Sequence, residues 1–164
     1  DGAAAVLVEA KTDASLRLHP ESFCSDLAFE GERDMAWSIG NLGFEMKLST
    51  YVPDIIKKGI ADLTAKLLKK SSMELSDIRY FAIHPGGRKI LESIEDELGL
   101  TTMDNESAYS ILRNYGNMSS PTILFVLDAI MQKLSPADSG QHILGFAFGP
   151  GLTLESMILK IEIG

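Results

Sequence analysis

Three short loops hold the residues best suited to chemistry. The first is Ile83-His84-Pro85-Gly86-Gly87. A histidine at the end of an apolar run, followed by a turn and a helix, lies where ligands of α/β sheets usually bind. Its glycines allow close backbone approach, and the helix start that follows favours anions. The same residues also suit a plain turn with a satisfied histidine, and the glycine–lysine spacing of a P-loop is absent. The second loop is Gly116-Asn117-Met118-Ser119-Ser120. There an asparagine amide just ahead of a helix can aim two N–H donors at developing negative charge. Alternatively, Asn117 only tolerates a left-handed turn and Ser120 only caps the helix. The third loop, Phe148-Gly149-Pro150-Gly151, is by itself a hairpin turn.

Other reactive types lack partners. His19 and His142 have no carboxylate or cysteine at ligand spacing, which argues against a metal site. Cys24 has no motif around it, so a nucleophilic role is not expected. The 7 methionines are scattered like core filler rather than gathered in a cofactor box. Lys69 and Lys70 close a helix, where cations are favoured.

The loops need elements to hold them. Ala3 to Glu9 is a short apolar run of the kind found in a strand buried on both faces. Leu16 to Thr50 is less regular, although Trp37–Ile39 and Phe44–Leu48 alternate as hairpin strands do. Pro53 opens a helix predicted to run to about Lys70, with Ile56, Ile60, Leu63 and Leu67 on one stripe. Asp77 to Ile83 is a strand leading into the histidine loop. A helix from about Arg88 to Leu98 follows and is stopped by Gly99. Ser107 to Arg113 is a short helix, and Ser120-Pro121 starts another that runs to Leu134. This last helix is apolar nearly all round its first turns and is expected to be buried between layers. Ile143–Phe148 and Leu152–Ile163 are two closing strands. The order gives an α/β fold with a mixed sheet flanked by helices.

Composition limits the partners. With 164 residues and 45% hydrophobic content, the chain has the makings of one globular domain spanning residues 1–164. A net charge of −8 argues against nucleic acid or an anionic membrane surface. A single cysteine excludes an internal disulfide and suggests a reducing, cytoplasmic setting. No apolar run approaches the roughly 18 residues of a membrane span. The abrupt Asp1-Gly2 opening, with neither Met nor leader, suggests an excerpt from a longer chain.

Taken in order, His84-Pro-Gly-Gly, Gly116-Asn-Met-Ser-Ser and Phe148-Gly-Pro-Gly-Leu-Thr-Leu-Glu resemble the C-terminal half of the type III polyketide synthases, the chalcone synthase family. The opening Asp-Gly-Ala-Ala-Ala-Val-Leu-Val is similar to the family's strand just past its midpoint. The resemblance spans nearly the whole chain and is weakest from Thr12 to Thr50. It implies half of a thiolase-like fold, with a buried central helix, and an acyltransferase that extends an acyl-CoA starter with malonyl-CoA. In such a centre His84 and Asn117 would join a cysteine from the missing N-terminal half. Cys24 lacks the surroundings for that role. Ser119 and Pro150 would line the cavity, and Gly86, Gly87 and Lys89 would face CoA. The family's gatekeeper phenylalanine falls on Met46 by ungapped counting, with Phe44 the nearest aromatic. Partners implied are the other half of the chain, CoA thioesters and a second copy in a homodimer. No cofactor or metal is implied.

Two other readings compete. A ketoacyl synthase III-like condensing enzyme would take carrier-protein substrates. A free-standing, non-catalytic domain would bind acyl-CoA or serve as a partner subunit.

Overall fold

The computed structural model describes residues 1–164. Its main sheet contains β1 (Leu16–Leu27), β4 (Ile78–Ile83), β5 (His142–Gly149) and β6 (Thr153–Ile163), in the order β1-β6-β5-β4. The pair β4–β5 is parallel, and β5–β6 and β6–β1 are antiparallel, so the sheet is mixed as predicted. A parallel pair needs a long crossover. Here that crossover carries three helices: α2 (Arg88–Leu98), α3 (Glu106–Tyr115) and α4 (Pro121–Met131). Because β4 and β5 point the same way, the loops after both strands leave from one edge of the sheet.

The long helix α1 (Val52–Lys70) forms as its apolar spacing requires, with Pro53 in the first turn. Ile56, Ile60, Leu63 and Leu67 are all fully buried. This stripe lies on β1 and β6, and α2 packs in turn on α1. On the crossover, α4 packs against β4, and α3 against α4 and β4. Gly99 takes a left-handed φ of 68° and ends α2, a conformation that costs glycine least.

Between β1 and α1 the chain forms a separate ribbon of β2 (Met35–Gly40) and β3 (Gly43–Leu48). The pairs Met35–Leu48, Trp37–Met46 and Ile39–Phe44 place six apolar side chains on one face. Ser38 with Glu45, and Ala36 with Lys47, make up the other face.

Three sequence-based expectations need correction. Residues 3–9 pair with no strand and are exposed throughout. An apolar run signals a need for neighbours on both faces, and this chain supplies none there. The stretch from Leu16 is not irregular but forms the 12-residue β1, with Cys24 half-buried on it. Its pattern is hidden because, beyond a register shift between Pro20 and Ser22, the inward positions are Ser22, Cys24 and Asp26 while Phe23 and Leu27 are exposed. Finally, α4 buries Thr122, Val126, Leu127 and Ile130, but Ile123, Leu124 and Phe125 are only half-buried. Coverage by β4 and α3 cannot reach every side of a helix that is apolar all round.

Candidate active site

His84 is the first residue beyond β4. Its backbone N–H donates to the Phe146 carbonyl at 2.9 Å, carrying the β4–β5 ladder one residue further. The side chain is 8% exposed, and burial pushes its pKa below the ordinary 6.5 by disfavouring the imidazolium. The sign for stability follows. As pH falls through 6.5 the unfolded chain takes up a proton that folded His84 resists, so the folded state loses ground. Neither ring nitrogen is hydrogen-bonded within this chain, so the imidazole is free to serve another group.

Gly86 links His84 to the second loop. A Cβ at Gly86 would stand 3.8 Å from His84 Cδ2 and 3.9 Å from Nε2, so its backbone lies along the imidazole edge. Asn117 Nδ2 donates to the Gly86 carbonyl at 3.2 Å, across 31 residues of sequence. The other end of the Asn117 amide is fixed too, since Oδ1 accepts the Ser119 N–H at 2.9 Å. The N–H donors therefore face the histidine loop, and the oxygen faces its own. Asn117 does not itself take the left-handed conformation, which falls to Gly116 and Ser119, but its amide ties its own turn to the histidine loop.

Strain marks the second loop. Ser119 has φ 65°, a left-handed conformation that a side chain adopts at some cost. Ser120 does not cap α4, because it is itself helical and its side chain makes no capping bond. Instead the Thr122 N–H is taken by the Ser119 carbonyl at 3.0 Å, and fully buried Thr122 fastens the loop to the helix, its Oγ1 accepting the Met118 N–H at 2.8 Å. Sequence reasoning missed Thr122. The available signal was a hydroxyl residue in the first helical turn, four positions after Met118. Replacing Thr122 by valine keeps the shape but orphans that N–H. The expected cost is about 1–3 kcal/mol, read from a lowered denaturation midpoint.

Other expected site residues lie nearby without joining this contact. Ser119 is exposed beside Asn117, Gly87 starts α2, and Lys89 is exposed in the first turn of α2. Pro150 lies four residues past Phe146 on the same sheet edge, roughly 10–13 Å further along the strand direction. Its turn is tied to the ribbon by the Gly151 N–H, which donates to the Met35 carbonyl at 2.7 Å. Phe44, near the ribbon tip, is 76% exposed and makes no hydrogen bond or ladder contact with the two loops. Cys24 is on β1, three strands from β4, or about 14 Å at ordinary strand spacing. A cavity of about 190 Å³ lined by Asp26, Ile55, Lys58 and Leu154 shares no residue with the loops. No group of three His, Cys, Asp or Glu side chains is placed to hold a metal ion, and no helix is long and apolar enough to cross a membrane.

Known proteins resemble this chain in sequence and fold. Residues 22–162 match the family model of the chalcone and stilbene synthases, C-terminal domain. An alpha-pyrone synthesis polyketide synthase-like protein of Mycobacterium tuberculosis is 32% identical over 98% of this chain and 42% of its own length. A putative chalcone synthase of Bacillus subtilis is 32% identical over 99% of this chain and 46% of its own. Among solved structures, a type III pentaketide synthase from Neurospora crassa superposes with a TM-score of 0.77 at 30% identity, covering 93% of this chain and 43% of that one. The C-terminal type III polyketide synthase domain of a Dictyostelium type I/III hybrid gives a TM-score of 0.79 at 26% identity, over 93% of this chain and 42% of that one. The chain thus spans less than half the length of these relatives. Its fold is the thiolase-like one of type III polyketide synthases, and it belongs to the chalcone and stilbene synthase family, matching that family's C-terminal domain.

Proposed function

We propose that this chain is the part of a type III polyketide synthase that brings a histidine and an asparagine to one Cys-His-Asn centre. The observation that carries the reading is the meeting of His84 and Asn117 at Gly86, each with a donor to spare. The nucleophilic cysteine comes from the N-terminal half of the full chain, since Cys24 is three strands away. Without that half, residues 1–164 are inactive.

The chemistry follows from the donors. The cysteine thiolate attacks the starter acyl-CoA carbonyl and expels CoA thiolate, leaving an acyl-enzyme. Malonyl-CoA then binds and loses carbon dioxide, and the bonding electrons pass to the thioester oxygen as an enolate. His84 and Asn117 donate hydrogen bonds to that oxygen as its charge develops. Burial favours the neutral imidazole, and an amide is neutral at any working pH, so both stabilise the charge without themselves ionising. The enolate carbon attacks the acyl-enzyme carbonyl, a carbon–carbon bond forms, and the cysteine thiolate departs. The Gly86-Gly87 turn, with Lys89 beyond it, faces the CoA arm; Ser119, Pro150 and the ribbon bearing Phe44 border the growing chain. The working unit is a homodimer of full-length chains in the cytoplasm.

The test is carbon dioxide release from malonyl-CoA by the full-length protein, with acyl-CoA and acyl-carrier protein compared as starters. Release with a preference for acyl-CoA is expected. No release overturns the reading, and a preference for the carrier protein transfers it to a ketoacyl synthase III-like enzyme.

A further inference from the structure

The two halves of the site are the ends of two helices. α2 starts directly after Gly87, and α3 stops directly before Gly116. They rest on different supports, α2 on α1 and α3 on α4 and β4. A buried carboxylate ties them together. Glu95, on α2, is 7% exposed. Its Oε1 accepts from Nδ2 of Asn105, the wholly buried residue just before α3, at 3.1 Å. Its Oε2 accepts from the Tyr109 hydroxyl, on α3, at 3.1 Å. The Tyr109 pKa is pushed up to about 12, first by burial and then by this bond, so the hydroxyl stays a donor.

We infer that Glu95 is a positioning residue, holding α3 against α2 so that Asn117 Nδ2 stays at Gly86 beside His84. This rests on the reading that His84 and Asn117 serve one oxygen. An apolar pair at this point could fill the same volume without fixing where α3 lies, whereas two hydrogen bonds to separate oxygens set both distance and register. The lever arms are similar. Glu95 lies seven residues from the start of α2, and Tyr109 six from the end of α3, which is roughly 9–10 Å in each helix. A shift at the tie is therefore felt at about full size in the loops, and a 1 Å misplacement can cost about 10²-fold in rate.

The experiment uses the full-length protein. Glu95→Leu removes both acceptors at similar size. Glu95→Gln keeps an acceptor for Asn105 and offers an N–H to the Tyr109 oxygen. Glu95→Leu is expected to lower kcat for malonyl-CoA decarboxylation about tenfold or more, with KM changed far less. Glu95→Gln is expected to restore most of kcat. In an Asn117→Ala background Glu95→Leu should lower kcat no further, because the donor it positions is gone. Equal losses in both backgrounds, or a lowered melting temperature with kcat unchanged, overturn the inference. Should Glu95→Leu fail to fold, Tyr109→Phe removes one bond and is expected to show a smaller loss with the same background dependence. Hydrogen exchange gives a readout that needs no turnover. The Met118 and Ser119 amides should exchange faster in Glu95→Leu while those of β5 and β6 are unchanged, and unaltered exchange at Met118 and Ser119 overturns the positioning role. If the wild-type protein releases no carbon dioxide, the functional reading fails by itself, and exchange still decides the structural claim.

Discussion

Replacing His84 by alanine lowers malonyl-CoA decarboxylation by the full-length protein roughly 10²–10³-fold, the usual effect of removing one donor from a developing oxyanion. The fold is expected to survive. His84 is held through its backbone N–H to Phe146, a bond alanine keeps, and its ring makes no hydrogen bond within the chain. Asn117→Ala should have an effect of similar size, with an added cost to its own loop because Ser119 loses the acceptor for its N–H. The double variant should lose less than the product of the single losses, since both donors serve the same oxygen. Labelled carbon dioxide release gives the rates, and circular dichroism shows whether the fold persists. Normal turnover in either single variant removes that residue from the reaction.

The second large effect is on stability. Phe146, on β5, is 1% exposed and sits between Ile83 of β4 and Ser156 of β6 in the ladder. Truncation to alanine is expected to cost about 3–5 kcal/mol, combining lost transfer energy with an unfilled cavity. That is a large share of the ~5–15 kcal/mol that ordinarily separates folded from unfolded domains. Guanidinium unfolding of residues 1–164 should show a lower midpoint with a similar slope. A cost below about 1 kcal/mol would mean that neighbouring side chains close the cavity. The substitution also loosens the strand that anchors His84, so decarboxylation by the full-length variant should fall even where it remains folded.

Local rules made much of this legible. The four-residue stripe of α1, the period-two ribbon, the left-handed stop at Gly99 and the order of the three loops all depend on near neighbours in sequence. The residues that escaped depend on distant ones. β1 reads as irregular because its second half turns Ser22, Cys24 and Asp26 inward and leaves Phe23 and Leu27 exposed, and its partner β6 lies 126–147 positions away. Glu95 stands in a run, Glu92-Ser-Ile-Glu-Asp-Glu-Leu, where nothing in the neighbouring sequence singles it out from the other acidic residues. Only the arrival of Asn105 and Tyr109 takes this one carboxylate out of water. In the site, His84 and Asn117 were visible as types in loops. That they share a centre came only from the family resemblance, and their meeting at Gly86 was not visible in either loop, since it needs α2 and α3 to converge. Ser120 looked like the cap because it precedes proline, but left-handed Ser119 turns the chain so that its own carbonyl accepts the Thr122 N–H and no side chain caps the helix.

The β1–β6 pairing also sets a timetable for synthesis. Each paired residue of β1 leaves the ribosome 126–147 positions before its partner. At translation rates of about 5–20 residues per second, that is a wait of roughly 6–30 s. During it β1 is an unclaimed strand able to pair with any suitable edge. Yield from a cell should therefore depend on translation speed and chaperone supply in ways that the stability of the finished fold would not reveal.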